Sequence, residues 1–187
     1  MSAAWIRTDR LVLRPWEESD ASRLVLMTQE HNFRSLWGAF KEPMDPQRAL
    51  HWVQRMAKNH GRGRELSWAI VENNHVVGVA SLVPRQPDLE DHMLTAVEYR
   101  LLHSAQGRGL ATEAMLGIME YGQSELGIED FHAFVPPDNT QAKNVAFKLG
   151  MKYWRMGRID GVVVEIYRIH IHPGEPLSRR NRAEEVA

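Results

Sequence analysis

Residues 106–111 read Gln-Gly-Arg-Gly-Leu-Ala and stand between two runs of different periodicity. Ala96 to Leu102 has the pattern of a short strand. From Leu110 onward, apolar residues recur at helical spacing. A strand that feeds a glycine loop and then a helix N-terminus is suited to holding an anion. The first-turn N–H groups have no intrahelical partner, and the aligned peptide dipoles add partial positive charge. Gly107 and Gly109 let the backbone approach a ligand closely and supply φ > 0 if the turn needs it. The competing reading is an ordinary strand-to-helix turn with glycines for geometry alone. Two nucleotide fingerprints fit poorly. There is no G-x-x-x-x-G-K-[ST] run, and Thr112 stands where G-x-G-x-x-G needs its third glycine.

Composition limits the chemistry that this loop can serve. The chain has 187 residues and a formal net charge of −1. That length suits a single domain, residues 1–172, followed by a charged tail, 173–187. The balanced charge gives no general attraction to nucleic acid or to an anionic membrane. With no cysteine, disulfides, thiolate metal sites and a Cys nucleophile are excluded. No apolar run approaches a membrane span, and no signal peptide is visible at Met1 to Arg7, so a cytoplasmic location is expected. His170 and His172 share a strand face and could seed a metal site, but the pattern offers no third ligand, so surface histidines and no metal are expected.

The elements that must position the loop follow from the rest of the pattern. Leu11 and Leu13 mark a strand ended by Pro15, and Ser19-Asp20 precede a helix to about Gln29. Phe33, Trp37 and Phe40 lie in an irregular stretch, either sealing the helices onto a sheet or lining an acceptor pocket. Asp45-Pro46 start a second helix reaching about Asn59. The basic turn Gly61 to Arg64 reads as a solvated loop that could also meet a phosphate. Strands are expected over 65–72 and 76–83, joined by a turn at Asn73-Asn74. Further strands are expected over 93–102, 131–135, 153–159 and 162–171, with Asp160-Gly161 turning the last pair. Helices are expected over 110–126 and from Asn139 to Leu149. The predicted fold class is α+β, with a mostly antiparallel mixed sheet of about seven strands and about four helices.

Three motifs in this order resemble the GNAT superfamily of N-acetyltransferases. Gln106, Gly109 and Ala111 fill its pyrophosphate-loop form Q/R-x-x-G-x-G/A. Asn139, Ala142, Lys148, Leu149 and Gly150 fit its N-x-x-[SA]-…-K-L-G-F run. Thr8 to Ala21, and the spacing from Tyr99 to Gln106, resemble the RimJ/RimL-like branch, which acetylates ribosomal-protein N-termini, although Glu98 replaces that branch's glycine. The resemblance covers nearly the whole chain.

The resemblance implies acetyl-CoA as donor and direct attack by a primary amine: a protein N-terminus, a lysine or a small amine. The diphosphate would lie on the N–H groups of Gln106, Gly107, Arg108, Gly109, Leu110 and Ala111, with Arg108 adding charge or facing solvent. Family members splay the preceding strand, so the backbone of Tyr99, Arg100 and Leu101 would hold pantetheine and the acetyl carbonyl. Asn139 would bond pantetheine or cap its helix. Glu98 is the candidate general base, or else a salt-bridged rim carboxylate, and Tyr99 is the second catalytic candidate, as acid. Glu113 favours its helix dipole and reads as structural. Ala142 and Ala146 lack the hydroxyls that relatives use to protonate the leaving thiolate. Three rivals follow. One is an acyl-CoA-binding protein without catalysis. A second uses a larger acyl donor such as succinyl-CoA, for which Arg34, Arg85 and Arg100 are candidate partners. A third is a nucleotide-binding module. A homodimer is compatible with all of these.

Overall fold

The computed structural model describes residues 4–59 and 64–172. Most of the basic turn after Asn59, residues 61–63, and the tail 173–187 lie outside the described residues. Eight strands form one sheet: β1 (Ile6–Arg7), β2 (Val12–Pro15), β3 (Leu66–Glu72), β4 (His75–Arg85), β5 (Leu94–Leu101), β6 (Asp130–Val135), β7 (Lys152–Ile159) and β8 (Val162–His170). Their spatial order is β1-β2-β3-β4-β5-β6-β8-β7. The helices are α1 (Ala21–Gln29), α2 (Pro46–Lys58), α3 (Leu110–Leu126) and α4 (Thr140–Lys148). This is the expected α+β class. The extra strand arises because the first segment folds back on itself. Thr8 N donates to Leu11 O at 3.0 Å, which separates β1 from β2.

Strand alternation divides the core into two layers. Leu66, Trp68 and Ile70 of β3, with Val97 and Leu101 of β5, pack against Ala114, Met115 and Ile118 of α3. On the opposite face, Ala69 and Val79 meet Leu24 and Met27 of α1 and Trp52, Val53 and Met56 of α2. Phe33, Phe40 and Trp52 pack edge to face, at centroid separations of 5.7 and 5.1 Å. Phe33 and Phe40 thus seal this second layer. Asp45 caps α2 by accepting from Arg48 N at 2.8 Å, a bond typically worth about 1 kcal/mol. The two hairpin turns depend on left-handed residues: Asn73 and Asn74 at φ 49° and 65°, and Asp160 and Gly161 at 49° and 79°.

Every strand pair is antiparallel except β5 with β6, which are parallel and in register only at Ala96 and His132. Beyond that pair the strands diverge. The gap is where the functional site lies.

Candidate functional site

A cleft of about 400 Å³ occupies the divergence between β5 and β6. Leu110 and Ala111 of α3 and Ala142, Val145 and Ala146 of α4 line it on one side of the sheet. Arg34, Ser35, Trp37, Glu98 and Arg100 line it on the other. The cleft therefore reaches both layers, through the place where the sheet is not closed.

The backbone of β5 determines which polar groups face this opening. Leu102 N donates to Val77 O at 2.9 Å, on the β4 side. Backbone groups alternate along a strand, so Arg100 points its N–H and C=O toward β4, where it is in register with Val79. Tyr99 and Leu101 point theirs toward the gap. Their carbonyls are taken up by side chains: Tyr99 O accepts from Arg100 Nη1 at 2.6 Å, and Leu101 O from Gln106 Nε2 at 3.0 Å. The N–H groups of Tyr99 and Leu101 are thus the donors presented to the cleft. The expectation for Arg100 is corrected here, because its backbone belongs to the β4–β5 ladder and only its side chain lines the cleft.

The glycine loop closes one end. Gly107 and Gly109 have φ of 72° and 78°, and Gly109 is the N-cap of α3. A glycine N-cap offers no side-chain oxygen to the first turn, so a ligand can take that place. A Cβ added at Gly107 would meet nothing within 4 Å, and one at Gly109 would come 3.5 Å from Arg10 Nη2. Arg108 turns away from the cleft and forms a two-pronged pair with Glu72, at 2.8 and 2.6 Å. Its side chain is about half exposed, so of the two alternatives for Arg108 the solvent-facing one is realised, as part of an ion pair.

Behind the loop is a clamp that spacing did not reveal. Glu113 accepts from Thr8 Oγ1 at 2.6 Å, from Arg10 N at 2.8 Å and from Arg10 Nε at 2.7 Å, while Arg10 Nη1 donates to Arg108 O at 2.8 Å. Glu113 therefore ties the β1–β2 turn to α3 and the loop. Burial alone would raise its pKa, but these bonds hold it below the ordinary value. The neighbouring motif has a similar explanation. Arg14 grips the buried Asp20 at 2.7 and 2.8 Å and joins β2 to the start of α1.

The α4 side contributes Asn139, whose Oδ1 accepts from Ala142 N at 3.0 Å. The capping alternative is realised. With the oxygen engaged, the side chain's Nδ2 is its group available to a ligand. Ala142 and Ala146 line the cleft with methyl groups only.

On the opposite face Glu98 accepts from Arg85 Nε at 2.7 Å and Nη2 at 3.1 Å, and from Trp37 Nε1 at 3.5 Å. Burial would raise its pKa, yet Arg85, with Arg100 and Trp37, brings it below the ordinary carboxylate value. Of the two alternatives for Glu98, the geometry realises the salt-bridged one. Trp37 differs from Phe33 and Phe40 in lining the cleft. Burial pushes the Tyr99 phenol above its ordinary pKa, so it remains protonated at neutral pH. His170 lies 3.2 Å from Asp130 and stacks edge-on with His172 at 4.8 Å. Among the described residues, no group of three metal-ligating side chains forms.

Known proteins share this architecture. An acetyltransferase (GNAT) domain family matches residues 10–152. The uncharacterized protein YkkB of Bacillus subtilis (strain 168) is 27% identical over 164 residues, spanning 86% of this chain and 92% of YkkB. RimJ of Mycobacterium smegmatis, solved with a CoA disulfide, superposes with a TM-score of 0.75 at 18% identity, over 98% of this chain and 95% of that one. RimL, a ribosomal-protein acetyltransferase solved with coenzyme A, gives 0.74 at 21% identity, over 90% and 98%. At these identities the two solved structures establish likeness of fold.

Proposed function

The chain belongs to the GNAT acetyltransferase family, and from that membership we propose that it moves an acetyl group from acetyl-CoA to a primary amine by direct attack. The observation that carries this reading is the splayed β5–β6 pair, with Tyr99 and Leu101 presenting N–H groups beside an uncapped helix N-terminus. Acetyl-CoA supplies the acyl group as a thioester. The residues that would hold it fit its chemistry. The N–H groups of residues 106–111 suit the diphosphate, and the edge of β5 with Asn139 Nδ2 suits the pantetheine amides. A donor aimed at the carbonyl oxygen where charge develops is worth about 3–4 kcal/mol of barrier in favourable cases.

The amine enters from the α1–α2 face, where Glu98 is the lining carboxylate. It stays ionised near neutral pH because of Arg85. In this proposal it draws in the ammonium and passes its proton to water. Tyr99 remains a protonated phenol and is the acid candidate nearest the β5 donors. In the RimJ/RimL-like branch to which we assign the chain, residues 1–172 form the catalytic domain. The acceptor would be a protein N-terminus, a lysine or a small amine. No helix among the described residues is long and apolar enough to cross a membrane.

Mass spectrometry tests the proposal. After incubation with acetyl-CoA and an amine panel, one amine should gain a single acetyl group while CoA thiol is released in equal amount. One observation favours a second reading, acyl-CoA binding without catalysis: Ala142 and Ala146 line the cleft with methyl groups, where the family resemblance implies hydroxyls. CoA binding without thiol release across the whole panel would select that alternative.

A further inference from the structure

The charged side chains that line the cleft on its α1–α2 face are Arg34, Glu98 and Arg100. Glu98 is already matched by the two-pronged bond from Arg85. Glu65, whose charge also reaches Arg85 and Glu98, is 3.5 Å from Arg55. Among the described residues, neither Arg34 nor Arg100 has a carboxylate within salt-bridge distance. Arg100 gives Nη1 to Tyr99 O and Nη2 to Ser35 Oγ, both at 2.6 Å. Arg34 Nη2 meets His31 Nδ1 at 2.8 Å. None of these partners is a carboxylate. In both residues Nε is shielded from water and has no hydrogen-bond partner.

Two guanidinium groups therefore line one cleft with no carboxylate of the protein at contact distance, although Glu98 acts on Arg100 through space. A shielded cation is unfavourable unless an anion and hydrogen bonds offset its loss of hydration. Because Nε is out of reach of water in both residues, the remaining Nη hydrogens are the donors left for a ligand in the cleft, and paired guanidinium N–H donors suit the two oxygens of a carboxylate. In Arg100 the bonds to Tyr99 O and Ser35 Oγ also fix the plane of the group. It is pre-oriented, and little rotamer freedom would be lost on binding.

We propose that Arg34 and Arg100 form a carboxylate subsite at the acceptor end of the cleft, so that the preferred substrate pair carries an acidic group there. The carboxylate comes either from the acceptor amine or from the far end of the acyl chain. In both cases it supplies the directly bonded carboxylate that neither arginine has within the protein. Glu98, held by Arg85 next to Arg100, keeps the ammonium and carboxylate ends of such an acceptor apart. This inference rests on the transferase reading.

The test uses the full-length protein and matched substrates that differ only in the acid. Ser-Asp and Ser-Asn peptide amides, and β-alanine against β-alaninamide, are compared with acetyl-CoA as donor. Succinyl-CoA is compared with acetyl-CoA on the neutral amines. The carboxylate-bearing member of one series should have at least a tenfold advantage in kcat/KM, mostly through KM. That ratio should collapse toward one in Arg34→Gln and in Arg100→Gln. An advantage in the amine series places the acid on the acceptor, and one in the donor series places it on the acyl chain. Should Arg100→Gln fail to fold, Arg34→Gln on its surface segment provides the same reading. If no amine turns over, binding decides: succinyl-CoA should bind more tightly than acetyl-CoA, or succinate should bind the CoA-loaded protein. Turnover with equal efficiency for acidic and neutral substrates overturns the subsite and leaves the transferase reading intact. Absence of CoA binding overturns the transferase reading itself.

Discussion

Arg85 and Glu98 meet through two bonds, at 2.7 and 3.1 Å, on adjacent strands at the α1–α2 face of the cleft. Their side chains are 22% and 17% exposed, so the pair is largely, though not wholly, removed from water. Breaking a buried pair by deleting one partner typically costs about 3–5 kcal/mol. The residual exposure reduces that to about 2–3 kcal/mol here. Glu98→Gln should destabilise by that amount, because Arg85 loses its carboxylate. The double change Arg85→Met with Glu98→Leu should recover most of the loss. Denaturant unfolding of Arg85→Met, Glu98→Leu and the double variant measures the coupling, and purely additive losses would show that the ion pair is not the cause.

Gly107 offers a clean probe of the loop. Its φ of 72° is left-handed, and an added Cβ points into open space. Asn and Asp tolerate this conformation better than other substituents, and they are nearly identical in shape. Gly107→Asn should bind CoA somewhat less tightly than the parent. Gly107→Asp puts a negative charge where the diphosphate is proposed to lie, and should weaken binding at least tenfold further. Calorimetric titration with CoA reads the difference directly. Equal affinity for the Asn and Asp variants would remove the loop from the diphosphate site.

Much of this arrangement was readable in the chain because it is local. Asp160-Gly161 and Asn73-Asn74 announce their turns through φ > 0, and Asp45-Pro46 announces a helix start within three residues. Gln106 to Ala111 carries both its glycines and its helix. Partnerships between distant residues were not readable. Arg10 and Glu113 are 103 positions apart, and no spacing rule links them. Arg34 and Arg100, distant in the chain, line the same cleft, which no spacing rule shows either. The expected strand ends at Val83, yet Pro84 lies inside β4, opposite Thr95. Its missing N–H falls on the β3 side, beyond Leu66, where that strand has not yet begun. The splitting of the first strand likewise depends on Thr8 folding back to Leu11.

The protonation state of the acceptor should dominate the pH dependence of transfer. Glu98 is held below its ordinary pKa of 4.5, so it is already ionised throughout the neutral range. The Tyr99 phenol is raised above 10.0 and does not titrate there either. A primary amine must lose its proton before it attacks. The rate kcat/KM should therefore rise with pH along a limb set by the acceptor's own pKa. Two acceptors differing by about two pKa units should shift the limb by about that much. Glu98→Gln should lower the rate at every pH and leave the limb in place. A limb that ignored the acceptor, or moved with Glu98→Gln, would assign the titration to a protein base.

The Glu113 clamp predicts how the protein loses stability in acid. Its carboxylate is favoured in the folded state by Thr8, the Arg10 N–H and the Arg10 guanidinium, against a burial penalty that would raise its pKa. A depressed folded-state pKa means that the folded state binds this proton less readily than the unfolded chain does. The stabilisation is then complete above the ordinary value of 4.5 and is lost progressively as pH falls below it through the folded-state pKa. Glu113→Gln keeps the shape and removes the charge. With Arg10 about half exposed, the loss near pH 7 should be about 1–2 kcal/mol. Between pH 5 and pH 3, by thermal unfolding, the gap between parent and variant should narrow as protonation reaches the parent's carboxylate, at about these values. A gap that stayed constant through this range would show that Glu113 contributes through packing and not through its charge.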